Sequence, residues 1–451
     1  MTHELNPKII FVSTSGKGDY KNISNAVHNA SEGDQIIVDE GTYSLKTTEE
    51  KYPIFVPPRC QLIGRGPDKC RIDGFVRYDE NNKMIGAKEI FDRPLDSDQS
   101  LVLLGDETSI SGFTICNSGA NGVSNVQGAR FLVTGNVMVS NGQHGLLVFG
   151  TNGAQVYNNR FIDNGKENKK ESVPRSGDKQ IGRQGHHVFI ESRSGCTNDV
   201  AIIGNEMKNV WADAIANDTL DQPDGITMRI QVVGNNIAGC DRNGLSISSS
   251  YSPSNTRIFV DIRDNKISNT AENAIDVLAS LSLVLREISD AKLFMNIIGN
   301  TIDGCDCGIN SICAYDPEAR GSEVTCNVIQ NKISNAKRYG IRAIGGLSVD
   351  GWAVENTRFN MTISDNIISG SKKESIFVQA GNLGCPSLKK AIVKDNQLFV
   401  HISRNKAKDS GNPIDSRSIV INNGLPDNNV YVIQGSQDHT RKGGTIKYDS
   451  P

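Results

Sequence analysis

The sequence predicts an all-β fold, a right-handed parallel β-helix built as a single-stranded solenoid, with a short capping helix near the N-terminus. Three observations carry this: an asparagine recurring in a fixed apolar frame, strand-like alternation inside each repeat, and a composition of 44 glycines with only 6% aromatic residues. The asparagines are Asn136, Asn159, Asn205, Asn235, Asn265, Asn300, Asn331, Asn366 and Asn396. Three positions before each stands Val or Ile, from Val133 to Val393; two positions after each stands Met, Phe, Ile or Leu, from Met138 to Leu398. The residue five before is again apolar, so it shares one strand face with the residue three before. A short alternating strand buries one face and leaves N–H and C=O groups unpaired at both edges. Stacking coil on coil about 4.8 Å apart answers both needs. Spacings of 23, 46, 30, 30, 35, 31, 35 and 30 residues give one coil per asparagine, the 46 being expected to hide a coil with a blurred signature. The asparagine is expected to be structural, because it tolerates left-handed backbone and its amide bonds the asparagine of the next coil.

In chain order, residues 1–100 are read as the N-terminal cap and first coils. Phe11 and Val12 open a strand, and residues 16–20 turn as Gly-Lys-Gly-Asp-Tyr. Residues 23–30 make a short amphipathic helix, and Asp34, Gln35, Ile36, Ile37, Val38 lead to Gly41, Thr42, Tyr43. Leu62-Ile63-Gly64-Arg65-Gly66 and Ile110-Ser111-Gly112-Phe113-Thr114-Ile115 follow. This wording resembles the cap and first coils of the pectate-lyase-like superfamily of right-handed parallel β-helices, which includes pectin methylesterases. The resemblance implies the fold over nearly the whole chain and no particular activity. No counterpart of the pectin methylesterase Asp pair with its Arg motif is found, nor the Asp-Pro-His-Asp of mannuronan epimerases. Gly185-His186-His187 precedes Asn217-Asp218-Thr219, inverting the order of the polygalacturonase motifs and departing from both. No catalytic residue is carried over, since fold does not fix function. Residues 101–423 are read as β-helix coils without an internal boundary. Residues 424–451 are read as a C-terminal cap and tail, with the apolar run 430–433 lying across the open edge of the last coil.

A length of 451 residues suits one solenoid, which escapes the size limit on a single core. The net charge of −3 and pI near 6.2 give no basic footprint, so nucleic acid is not an expected partner. No run of eighteen apolar residues exists, so no membrane partner is expected. The first ten residues lack a signal-peptide core. A cytoplasmic location is the expectation, with secretion left open. The ten cysteines include no paired Cys-x-x-Cys at zinc spacing and are read as reduced structural thiols, Cys326 as a small core residue. No metal and no cofactor is expected.

Nine to thirteen residues after most of the asparagines comes a second strand, at 145–149, 214–218, 244–248, 274–278 and 340–344. Its tenth position is apolar and inward (Leu146, Ile215, Leu245, Ile275, Ile341), so the ninth, eleventh and thirteenth are expected to face solvent. Residues 187–191 fit the same frame. One outer wall then carries His187, Glu191, Asp218, Ser246, Ser248, Asp276 and Arg342. Glu191 and Asp218 share the thirteenth slot of adjacent coils, which predicts carboxyl groups about 5 to 7 Å apart. Neighbouring carboxylates drive each other's pKa values apart, giving one acid and one base or nucleophile, the division of labour that glycosyl cleavage needs. Glu191, Asp218 and His187 are therefore the candidate catalytic residues. Asp221, Asp224, Ser248, Asp276 and Arg342 are the candidate substrate-binding residues, with Asp213 adding negative charge. Long segments after residues 218, 248, 278 and 344, and a charged insertion at 165–184, are expected to flank the wall as a cleft.

Three functions fit. The first is a carbohydrate-active enzyme, either a glycoside hydrolase or transferase using the carboxylate pair, or a polysaccharide lyase or epimerase using His187 as base and Arg342 to stabilise an enolate. The second is a cyclase or isomerase acting on a small molecule at the same wall. The third is a non-catalytic glycan-binding or structural β-helix, for which only Phe149 and Phe189 offer aromatic contacts on that wall. The expected partner is thus a carbohydrate or small-molecule substrate, with homo-oligomerisation left open.

Overall fold

The structure, a computed structural model, describes residues 7–75, 77–78, 84–85, 100–165, 185–193, 195–218, 225–248, 255–278, 288–313, 319–348, 354–383, 393–408, 418–424, 429–434, 437–440 and 446–449. They fall into two units, Met1–Ile215 and Ala216–Pro451. Each is a right-handed parallel β-helix with three strands per coil, so the repeat seen in sequence as two strands is a triangle. In the first unit the strands Arg130–Thr134, Val137–Val139 and Leu146–Phe149 make one coil, in register with Gly153–Tyr157, Arg160–Ile162 and Val188–Glu191 of the next. In the second unit Arg257–Arg263, Lys266–Thr270 and Ile275–Leu278 pair with Lys292–Ile298, Thr301–Cys305 and Ile309–Ile312. The apolar frame fills the interior. Positions −5 and −3 face in from the first sheet, +2 from the second, and +10 and +12 from the third, as Val260, Ile262, Ile267, Ile275 and Val277 do at 3% exposure or less.

The capping helix Ile23–His28 is held by two devices. Asn22 Oδ1 accepts the Asn25 N–H at 2.9 Å, and the buried Glu50 carboxylate accepts the Ile23 and Ser24 N–H groups at 2.8 Å each. These are N–H groups that a helix start leaves without an intrahelical partner.

The asparagine ladder is present. In the first unit Asn136 donates its N–H and its side-chain amide to Asn159 Oδ1 at 3.0 and 3.3 Å, and Asn159 does the same to Asn205 at 2.9 and 3.1 Å. In the second unit Asn265 donates both to Asn300 at 3.0 Å, and the series runs on through Asn331 and Asn366. Four expectations change. Asn159 bonds Asn205 directly, so the interval of 46 hides no coil; the extra length is inserted within one coil. The left-handed residue is the one before each ladder asparagine, at Gly135, Asn158, Gly204, Gly234, Asp264, Gly299, Gln330, Asp365 and Arg404 with φ of 52° to 70°. The ladder ends on Asn405, not Asn396, because Asn366 donates to Asn405 Oδ1 at 3.0 and 2.9 Å. Asn396 stands instead at the corner before the first sheet, where Thr357 bonds its Oδ1 at 2.7 Å.

At the C-terminus, Asn429–Gln434 does not lie across the last coil but joins the first sheet in parallel with Gln397–Ser403. Gln437–Thr440 and Ile446–Asp449 then pair antiparallel and finish the first and third sheets. All nine described cysteines are free thiols, eight of them buried, and burial pushes Cys326 up to about 12.

Candidate functional site

The third sheet presents an outer wall in each unit. In the first, Leu147 pairs with Phe189 and Phe149 with Glu191, the register read from the sequence. The position before each strand does not face solvent. A Cβ on Gly145 would meet His187 O at 2.8 Å, Phe161 at 2.8 Å and Asn164 Nδ2 at 3.0 Å, an interior corner. His187 therefore points into the core, contrary to its expected place on the wall: it is 0% exposed, its Nδ1 lies 3.1 Å from Asn164 Nδ2, and its ring centroid is 6.0 Å from that of Phe161. Burial lowers its pKa to about 3, which keeps it neutral. The signal was in the sequence, since the same slot holds small residues in most other coils, at Gly122, Gly145, Ala214, Gly244, Ala274, Gly308, Gly340 and Ser375.

The neighbouring His186 is also buried, at 3% exposure. His144, His186 and Phe189 stack nearly parallel with centroids 4.8 to 5.4 Å apart. His186 N–H donates to His144 Nδ1 at 3.1 Å, which fixes His144 as the tautomer protonated on Nε2. Burial, reinforced by the charge of His186, holds the pKa of His144 well below the usual range. The His186 Nδ1 lies 3.2 Å from Asp213 O and 3.7 Å from Asp213 Oδ2, both residues being almost fully buried. A carboxylate beside one ring nitrogen orients an imidazole for proton transfer at the other. At the far end of the strand Glu191 pairs with Arg193, whose guanidinium lies 4.1 Å from the centre of the Phe149 ring. Asp218 ends the strand Ile215–Asp218, and its side chain lies outside the described residues, as do Asp221, Asp224 and most of the insertion.

In the second unit Ser246, Asp276, Asn310 and Arg342 are register partners in one outward slot. Three of them form a hydrogen-bonded line. Asn310 Nδ2 donates to Asp276 Oδ1 at 2.7 Å, and Arg342 donates to Asn310 Oδ1 at 3.1 Å. Asp276 is 8% exposed and Asn310 4%, and burial lowers the Arg342 pKa. Tyr339 stands beside it, with its ring centre 6.0 Å from the guanidinium carbon, and Phe377 packs on Tyr339 at 5.2 Å. Asn310 was missed because it stands ten residues after Asn300, where Asp276 and Arg342 stand eleven after Asn265 and Asn331, and so falls in the slot read as inward. Ser248 lies off this line and is 4% exposed; its backbone is clamped by the inward Asn217, with Ser248 N to Asn217 Oδ1 at 2.9 Å and Asn217 Nδ2 to Ser248 O at 2.6 Å. Among the described residues, no three His, Cys, Asp or Glu side chains converge as a metal ion would require.

The fold defines a parallel β-helix protein. The chain belongs to the family described as Protein of unknown function (DUF1565), which it matches over residues 13–344. No curated protein matches it. Among solved structures it is similar to the Dettilon tailspike protein at 11% identity and a TM-score of 0.48, covering 87% of this chain and 68% of that one. It is also similar to PfbA, a surface adhesin of Streptococcus pneumoniae, at 14% identity, TM-score 0.45, covering 95% of this chain and 93% of that one. A third is a mannuronic acid specific polysaccharide family 6 lyase from human gut microbiota, at 11% identity, TM-score 0.44, covering 88% and 87%. None of these likenesses assigns an activity.

Proposed function

We propose that the protein is a carbohydrate-active enzyme that holds a glycan against the outer wall of the third sheet and processes it by acid–base chemistry. The observation that carries the reading is the line from Asp276 through Asn310 to Arg342. Packing does not call for it, because the same slot holds Leu147 and Phe189 in the first unit. Buried charged groups cost desolvation that apolar replacements avoid. A carboxylate, a carboxamide and a guanidinium in series offer a sugar chain hydroxyl and carboxylate partners, Arg342 serving an acidic sugar by its planar fork.

Glu191 of the first unit and Asp218 of the second are each kept, from the sequence register, as a candidate acid, base or nucleophile. The pair His186 and Asp213 replaces His187 as proton carrier. The test is turnover on a panel of neutral and acidic polysaccharides, read as new reducing ends and as the ultraviolet absorbance of unsaturated products. Glu191→Gln and Asp218→Asn should each lower the rate by about 10² to 10⁴ with an unchanged melting temperature, and His186→Asn, which also gives up its buried stacking, should lower the rate per folded molecule by a similar factor. Full activity in all three would place the chemistry elsewhere. A second reading, glycan binding without turnover, is favoured by one observation: Phe259 and Phe294, both 37% exposed, lie on another face.

A further inference from the structure

On the first sheet of the second unit, Arg229, Phe259, Phe294 and Thr325 are register partners on successive strands. Two residues further along, on the same outward side, stand Gln231, Asp261, Asn296 and Asn327. The two phenyl rings stack at 5.2 Å with their planes 9° apart, and Arg229 covers the far side of Phe259 at 5.6 Å. Asn327 donates to Asn296 Oδ1 at 2.9 Å. Together the rows line a cavity of about 360 Å³, within the range of small-ligand sites.

We propose that this groove is a second carbohydrate site, taking a neutral pyranose chain laid across the coils. The two rows differ in chemistry as the two aspects of a pyranose differ. The stacked rings turn their edges outward as an apolar strip two coils wide, which the C–H surface of a sugar can cover by apolar contact. Amides and a carboxylate beside it donate to and accept from hydroxyl groups. Charge argues for a neutral ligand: Arg229 is the cation lining the groove, and Asp261, its acid, is engaged by Arg263. A polyphosphate or polyuronate would need more cations. An added peptide strand would need an open sheet edge, and this groove lies on a sheet face whose strands are all paired. Coils repeat about every 4.8 Å, close to the length of one residue in an extended pyranose chain, so successive sugars meet successive amides. The site stands apart from the third-sheet wall and does not rest on its activity.

The experiment is affinity electrophoresis of the whole chain in gels cast with a soluble neutral glucan, a galactomannan or a xylan, with polygalacturonate as charged control. At least one neutral polysaccharide should retard the wild type more than polygalacturonate does. The double variant Phe259→Ala/Phe294→Ala, and separately Asn296→Ala, should weaken that retardation about tenfold or more, while Lys266→Ala, exposed on the second sheet, keeps it. If the double alanine variant melts early, Phe259→Leu/Phe294→Leu supplies the same reading with the strip's volume largely kept. Absence of retardation by every neutral polysaccharide overturns the proposal. Equal loss in Lys266→Ala overturns it too, by detaching the binding from the groove. A change of oligomeric state in the double variant, seen by light scattering, would mark the groove as an interface between copies and overturn it as well.

Discussion

Asn265 uses its whole amide. Its Oδ1 accepts from Asn235 N and Nδ2 at 2.9 and 3.0 Å, while its Nδ2 donates to Val232 O at 2.8 Å and Asn300 Oδ1 at 3.0 Å. Asn265→Ala leaves at least two buried groups without partners, at about 1 to 3 kcal/mol each, so urea unfolding should show a loss of about 2 to 6 kcal/mol. Asn265→Asp is the more discriminating change, because an ionised carboxylate would face two carbonyl oxygens. Its folded pKa must rise above the unfolded value, so the penalty is present at neutral pH and shrinks as pH falls toward about 4. A deficit equal at both pH values would contradict the donor assignment. His187 gives the opposite slope. Its folded pKa of about 3 lies below the ordinary 6.5, so the unfolded state binds more protons between them. The stability is complete above about pH 6.5 and drains as pH falls toward 3, with His144 acting in the same sense. His187→Gln keeps an acceptor for Asn164 and removes the titration. Its melting temperature should therefore fall less than the wild type's between pH 7 and pH 4, and parallel curves would refute the point.

Each coil turns out of its first sheet through a residue in left-handed backbone, followed by the ladder asparagine. Glycine suits that place at Gly234, where a Cβ would meet nothing within 4 Å. Gln330 holds it at φ 57°. Left-handed backbone costs a non-glycine residue about 1 to 2 kcal/mol, against about 0.5 to 1 for the greater entropy glycine loses. Gln330→Gly should thus raise stability by up to about 1 kcal/mol, and a calorimetric scan showing a lower melting temperature would count against it. At this scale the strands were readable because inward positions repeat with period two and are nearly all apolar. The corners were less so. Left-handed conformation can be met by Gly, Asn, Asp or Gln, so composition does not single out the turning residue. Asn405 was passed over because its +2 partner is the small Ala407, whereas Asn396 carries a full apolar frame in a different corner. His187 was misplaced because alternation was carried one residue past the strand end, into a turn where alternation no longer holds.

Across the whole molecule, a β-helix core is set by inward positions, and the outward positions are free to vary. The core was therefore legible and the site only partly so: Asp276 and Arg342 could be placed on one line, but Asn310 joining them could not. That bridge allows function to be separated from stability. If the line serves only packing, Asn310→Leu should leave Asp276 and Arg342 buried and unbridged and should destabilise by several kcal/mol, as breaking a buried pair does. If the line serves a ligand, those two side chains can turn outward toward the ligand's side of the wall. A leucine in that outward slot then packs like Leu147, so the melting temperature should stay within about 2 °C. Turnover should fall with KM raised about tenfold and kcat less affected, the sign of lost binding more than lost chemistry. Arg342→Lys should not rescue binding of an acidic glycan, because an ammonium lacks the planar fork. The decisive comparison is Asn310→Leu beside Ile267→Asp. The latter buries a charge among stacked Ile237, Ile267 and Ile302 and must unfold the chain. An Asn310→Leu protein that unfolds as readily as Ile267→Asp would reduce the line to core support and remove the main argument for a glycan on this wall.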